Sequence, residues 1–367
     1  MTHIGLDHRL TYYRQGGIST YITRLTQALS KLDQHNRYTV LYSRKQADFH
    51  APSNMQAVPL WTPCHHRFER SLLSLELTRL RLDVLHSTDF IPPYRGARRH
   101  VASIHDLTFL RYPEHLTAES RRYYNDQIEY AARHADHILT ISESSKQDLV
   151  SMLGVPENKI TVQLLGVDPD FKIPSPENIA YWRKTLNLPA SYWLFLGTFE
   201  PRKNIIGLLE AYKMVSARME NAPPLLLAGT RGWMYEETLN RIKTLNLEKQ
   251  VQLIEHAPLT ALPTLYHQSL AIVTPSFYEG FGLPALEGMA CGTVPIVSNR
   301  SSLPEVVGDV GIQVEPENSE QIAQAMLKAY HDHSWRARQV EAGLQRASTF
   351  TWEKTARVAI KVYEAIA

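Results

Sequence analysis

The chain has 367 residues, 44% of them hydrophobic and 21% charged, and a net charge of +2; that length suits two domains, since one core stops growing near about 250–300 residues. So small a charge gives no ground for expecting nucleic-acid binding. No apolar run approaches the roughly 18–20 residues of a membrane span, and the start, Thr2-His3-Ile4-Gly5-Leu6-Asp7, lacks a basic segment with an apolar signal core. Two cysteines, Cys64 and Cys291, are too far apart in sequence for a disulfide framework or a cysteine metal site; they fit a reducing compartment and a soluble, cytoplasmic enzyme.

Short apolar runs alternate with helical patterns, the mark of a parallel-sheet α/β protein. His3 to Leu6 reads as a first strand, followed by a glycine loop at Gly16-Gly17. Ile18 to Leu32 then carries Ile18, Ile22, Leu25, Leu29 and Leu32 at helical spacing. Tyr38 to Tyr42, Val84 to His86, Val101 to His105 and Ile138 to Ile141 are further strands. Between the first and second of these runs, Arg67 to Arg81 mixes arginines with leucines. It is either an ordinary surface helix or a basic amphipathic helix making peripheral contact with anionic lipid, and Arg95, Arg98 and Arg99 add to its basic character. The proline-rich, aperiodic stretch Val167 to Pro176 reads as a linker and places a boundary near residue 170. A second series follows: Trp193 to Gly197, Leu225 to Ala228, Val251 to Ile254, Leu270 to Thr274 and Val294 to Ser298. Two doubly wound halves are thus expected, facing a cleft, with ligands at the carboxyl ends of the strands.

Two segments carry the chemistry. In the first, a strand ends at Thr274, Gly280 and Gly282 let backbone amides approach a ligand, and a short helix begins at Pro284 and stops near Gly292. A helix start preceded by glycines suits a phosphate. Glu279 in the loop and Glu287 in the helix can accept bonds from sugar hydroxyls; the alternative is that they only cap the helix and complement its dipole. In the second segment, Gly197 ends an apolar strand and Arg202-Lys203 precede the helix Ile205 to Val215. Arg can grip a diphosphate with two parallel bonds and Lys adds a point charge, unless the pair is simply a solvated basic turn.

These residues resemble a known family. Glu279 and Glu287, with Gly-Phe-Gly-Leu-Pro between them, look like the E-x7-E motif of retaining glycosyltransferase family 4, which has the GT-B fold. Gly16-Gly17-Ile18, Ser103-Ile104-His105-Asp106-Leu107, Thr140 to Lys146, Leu165 to Asp168 and Thr351 to Lys354 resemble its other motifs, in order. The form of Gly5 to Asp7 and of Glu200 to Asn204 is most similar to the mannosyltransferase-like branch of bacterial surface-polysaccharide enzymes. The resemblance implies an acceptor-binding domain at 1–170, a nucleotide-sugar-binding domain at 171–350, and a helix at 351–367 returning to the first. It implies that Glu287 holds the ribose and Glu279 the donor sugar, helped by amides around Phe281, Gly282 and Leu283. Arg202 and Lys203 would neutralise the diphosphate, Gly17 would let the first domain close, and His105 would sit beside the reacting sugar. One departure is Thr198, where many members carry an arginine; either Arg202 supplies that charge or the grip is looser.

The expected reaction moves a hexose, best read as mannose from GDP-mannose, to a glycan or lipid-linked glycan. It needs no protein nucleophile and no cofactor. No metal is expected either, since the nearest D-x-D, Asp168-Pro169-Asp170, falls in the linker. Two rivals share this reading of the fold: a nucleotide-sugar 2-epimerase and a catalytically silent nucleotide-sugar scaffold. A dehydrogenase fits less well, because Gly5 to Gly17 forms no G-x-G-x-x-G.

Overall fold

A computed structural model describes residues 1–13, 16–113 and 118–367. The chain forms two compact units, Met1–Gly166 with Thr351–Ala367, and Val167–Phe350. The division falls between Gly166 and Val167. Two contacts fix it there. A Cβ on Gly166 would lie 2.4 Å from the Trp352 amide nitrogen, so only glycine lets the chain pass this close to the last helix. The next residue, Val167, already donates its N–H to the Phe350 carbonyl of the second unit (3.0 Å).

The first unit holds seven strands: β1 His3–Asp7, β2 Arg37–Ser43, β3 Gln56–Leu60, β4 Leu82–Ser87, β5 Ala97–Ser103, β6 His137–Thr140 and β7 Ile160–Val162. All pair in parallel, in the order β3-β2-β1-β4-β5-β6-β7. The helix Gly17–Leu32 buries Ile22, Leu25 and Leu29, the same stripe that its spacing announces. The last helix, Trp352–Ile366, belongs to this unit through buried polar ties: the Tyr363 hydroxyl meets His86 Nδ1 (2.6 Å), and Gln163 Nε2 donates to the Thr355 carbonyl (2.8 Å). Gln163 also accepts from the Tyr21 hydroxyl (2.9 Å) on the first long helix. Two strands the sequence reading missed are the edges β3 and β7. β3 is largely exposed and carries Pro59, so it shows neither alternation nor an apolar run.

The second unit holds β8 Trp193–Leu196, β9 Leu225–Gly229, β10 Val251–Glu255, β11 Ala271–Thr274, β12 Pro295–Ser298 and β13 Ile312–Val314. They pair in parallel in the order β10-β9-β8-β11-β12-β13. Trp193, Phe195, Leu225 and Leu227 are fully buried against Leu208, Leu209 and Tyr212 of the helix Ile205–Arg218. After β8 the chain builds outward through β9 and β10, then returns to lay β11 on the other side of β8. The loops leaving the carboxyl ends of β8 and β11 therefore lie side by side, where such sheets hold their ligands.

Candidate functional site

Both chemical segments sit at that switch point, because one leaves β8 and the other leaves β11. The β8 loop runs through Gly197 into the short turn Pro201–Lys203 and reaches Asn204 at φ +55. Asn204 reverses the chain and caps the next helix, accepting from Gly207 N–H (3.2 Å). Its amide group also donates to the Pro275 and Pro316 carbonyls (3.1 and 2.7 Å). The β11 loop is bound to it directly, since Phe277 N–H donates to the Arg202 carbonyl (2.7 Å). Two loops separated by more than seventy positions thus share one hydrogen-bonded frame.

Within that frame Glu279 meets both cations. Lys203 Nζ donates to Glu279 Oε1 (2.5 Å), and Arg202 Nη1 donates to Oε2 (2.9 Å). Arg202 also reaches the Tyr278 carbonyl (3.2 Å) and pairs with Glu200 (2.9 Å). Ser276 Oγ gives Oε1 a further bond (2.8 Å), while Ser301 and Ser302 hold the Glu279 backbone (2.9 and 2.8 Å). Glu279 and Lys203 are only 5% and 7% exposed, so neither is a solvated turn residue. Burial alone would raise the Glu279 carboxyl; the charges of Lys203 and Arg202, with the bonds from Lys203 and Ser276, outweigh it and hold the group at about 2. The helix-cap alternative for Glu279 is therefore set aside: its carboxylate answers cations.

The helix after this loop spans Leu283–Ala290, with Pro284 in its first turn. Gly282 caps it at φ +101, and a Cβ there would meet Leu303 Cδ2 at 2.6 Å; both backbone and space demand glycine. Leu283 opens the helix, so its N–H has no partner within it. Gly280 and Phe281 are buried, and the Phe281 ring packs edge-on against Phe350 (6.1 Å), which leaves its backbone as the part able to meet a ligand. Glu287, in the second turn and half-buried, is drawn elsewhere: it accepts from the hydroxyl of Tyr266 (2.7 Å). Burial pushes its carboxyl up to about 8, the Tyr266 bond opposing and Asp168 adding to the rise. The two glutamates of the motif thus differ in charge state at neutral pH.

In the first unit, β5 ends at Ser103, so His105 lies in the loop beyond it rather than in the expected strand. His105 is half-buried, with Nε2 3.1 Å from the Thr88 carbonyl and its ring edge-on to Tyr21 (4.8 Å). Burial lowers its pKa, against the charges of Asp89 and Asp106. Gly16, at φ +132, caps the helix that Gly17 begins. Thr198, standing where the family pattern has an arginine, meets the Thr230 hydroxyl (3.1 Å). Among the described residues no group of three His, Cys, Asp or Glu is placed to hold a metal ion. Asn204, Tyr266 and Ser276 escaped the sequence reading. An asparagine before an apolar helix is a legible cap signal, whereas the Tyr266–Glu287 bond joins separate elements and leaves no local trace.

The model described as Glycosyl transferases group 1 matches residues 181–346, and that described as Glycosyltransferase Family 4 matches residues 15–171. O-antigen chain mannosyltransferase B of Escherichia coli is 34% identical over 282 residues, covering 77% of this chain and 74% of that protein. The serotype-specific mannosyltransferase WbdA of the same organism is 33% identical over 269 residues, covering 71% of this chain but 32% of that protein. A solved sucrose-phosphate synthase from Thermosynechococcus elongatus shares the fold, with a TM-score of 0.77 at 20% identity, over 100% of this chain and 99% of that one. The chain belongs to the family 4 and group 1 glycosyltransferases of GT-B fold, and it is a glycosyltransferase.

Proposed function

We propose that the chain is a retaining hexosyltransferase carrying mannose from GDP-mannose to a glycan or lipid-linked glycan in surface-polysaccharide synthesis. The observation that supports it most is the meeting of Lys203, Arg202 and Glu279 at the ligand-binding end of the second sheet, in a chain whose relatives are named as O-antigen and serotype-specific mannosyltransferases. Lys203 and Arg202 take the diphosphate's charge. Glu279, partly released by that exchange, accepts from donor-sugar hydroxyls, with amides around Gly282 and Leu283 beside it. Glu287 takes the ribose hydroxyls, and His105 is assigned to the reacting sugar. The acceptor hydroxyl bonds to the anomeric carbon on the face from which the diphosphate departs. Its proton passes to a diphosphate oxygen, and the old carbon–oxygen bond breaks as the new one forms. Catalysis is then charge stabilisation and positioning, and two fixed cations serve in place of a metal.

The test is a nucleotide-sugar screen by thermal shift, with transfer assayed in a chelator. A donor at a hundred times its Kd stabilises the fold by about 2.7 kcal/mol, and GDP-mannose is expected to give the largest shift. A larger shift with another donor overturns the sugar assignment, and transfer that returns only with magnesium overturns metal independence. Conversion of the donor without any acceptor would favour the epimerase.

The acceptor reading draws on a second observation. The helix Glu69–Leu77 exposes Leu72 and Leu75 (42% and 70%), and Phe68, which precedes it, is exposed too (53%); the spacing of the three puts them on one side. Arg67, Arg79 and Arg81 flank it and are exposed. Arg70 is not among them: it is buried, 3.9 Å over the Tyr130 ring, with Nη2 donating to the Gln127 carbonyl. Arg98 and Arg99 are paired with Asp83 and Asp136, so they add little net charge. Among the described residues no helix is long and apolar enough to cross a membrane. We propose that this side rests on anionic lipid. Leu72→Ser with Leu75→Ser should abolish sedimentation with phosphatidylserine vesicles; unchanged sedimentation sinks the idea.

A further inference from the structure

The sheet of the first unit has a switch point of its own, between β1 and β4. A narrow crevice opens there, lined by Asp7, Cys64, His65, Ser87, Thr88 and Asp89 among others, with room at its floor for about one water-sized group. Ser87 is 2% exposed, yet its Oγ has no hydrogen-bond partner. A buried hydroxyl is seldom left so, because nothing repays the water it gave up. His65 stands at φ +58, in the left-handed region that few non-glycine residues adopt, and its Nε2 is tied to Asp89 Oδ2 (2.8 Å). An unpaired buried hydroxyl at a switch point is the mark of a site awaiting a ligand.

Charge decides which ligand. The fully buried Arg9 nearby is spent on Asp7 (2.7 Å), Glu69 (2.8 Å) and the Thr62 carbonyl (2.9 Å). Asp7, Glu69 and Asp89 put three carboxyl groups around the crevice, and Arg9 is the arginine paired with the first two, a balance that disfavours phosphate. Among the described residues no group of His, Cys, Asp or Glu converges here to hold a metal. A neutral hydroxyl suits what remains: it can donate to a carboxylate and complete the bonding of Ser87. The Thr88 carbonyl at the same strand end meets His105, so the crevice opens beside a residue assigned to the reaction.

We propose that this crevice receives a hydroxyl group of the acceptor's terminal sugar and so selects the acceptor by its hydroxyl pattern. The proposal rests on the glycosyltransferase reading above and names the part of the first unit that reads the acceptor. It is tested by saturation-transfer NMR on the full chain with methyl α-D-mannopyranoside, with inorganic phosphate as a separate probe. GDP binding is measured in parallel by calorimetry. The glycoside should be detected and phosphate should not. Ser87→Ala should weaken the glycoside about threefold and Asp89→Asn about tenfold, both keeping GDP affinity. Equal glycoside binding in parent and Ser87→Ala, no glycoside signal in the parent, or phosphate binding in its place would each overturn the proposal. Loss of GDP binding in the parent would instead count against the donor assignment, so the two failures are distinguishable.

Discussion

Lys203→Met is expected to cut transfer by two to three orders of magnitude and to destabilise the fold by about 3–5 kcal/mol, the ordinary cost of leaving one member of a buried ion pair without its partner. Glu279→Gln should behave alike on both counts. The Lys203→Met/Glu279→Gln double variant separates the causes. With both charges gone no buried charge is left opposite Ser276, and Arg202 keeps Glu200 and the Tyr278 carbonyl. Stability should therefore recover most of its loss, while transfer stays as low as in the worse single variant. Chemical denaturation and single-turnover rates on the same four proteins measure the two cycles. If the double variant regains activity along with stability, the pair is a structural bolt and the donor assignment fails. The parent carries a matching acid signature. Glu279 titrates far below its unfolded value, so the stability it supplies is present above about pH 4.5 and is lost as pH falls toward about 2. Glu279→Gln should remove that loss.

How far the sequence could be read follows from where each signal resides. The buried strands β8, β9, β11 and β12 announce themselves because both faces are covered and nearly all their residues are apolar. β5 is legible only in its inner half: Arg98 and Arg99 are exposed and Val101 to Ser103 are buried, so the reading starts too late and runs on into His105. β13 has three residues at a sheet edge and offers no pattern to read. For the site, the type and place of Glu279, Lys203 and Gly282 were legible, since strand ends, glycines and a helix start are local features. Their relation was not. The folded chain pairs Lys203 with Glu279, a contact between positions 76 apart that no local feature announces. The Tyr266 bond to Glu287 and the unpaired Ser87 likewise exist only once β-strand order is known.

The buried carboxyl of Glu287, which that Tyr266 hydroxyl meets, is expected to make nucleotide affinity pH-dependent. Affinity for GDP should rise with pH by up to about tenfold per unit below pH 8 and level off above it, and Glu287→Gln should lose that dependence. Burial raises the Glu287 carboxyl to about 8, so at neutral pH the free protein holds it protonated. A ribose offers two neighbouring hydroxyls, and both can donate only to a carboxylate. Binding therefore favours the ionised form and expels a proton, which is easier as pH rises. The diphosphate also titrates on this scale, but it does so against both proteins, and the difference between parent and variant isolates Glu287. The same shift has an opposite effect on the unliganded fold. The unfolded chain gives up this proton near pH 4.5 and the folded chain only near 8, so stability falls across that window as pH rises. In Glu287→Gln that fall should be shallower by about 1–3 kcal/mol. Tyr266→Phe removes the hydroxyl that favours the charged form, so it should move the affinity profile to still higher pH. Calorimetry in buffers of differing ionisation enthalpy counts the released proton directly. Equal pH profiles for parent and Glu287→Gln would take Glu287 off the ribose and leave Tyr266 a purely structural partner.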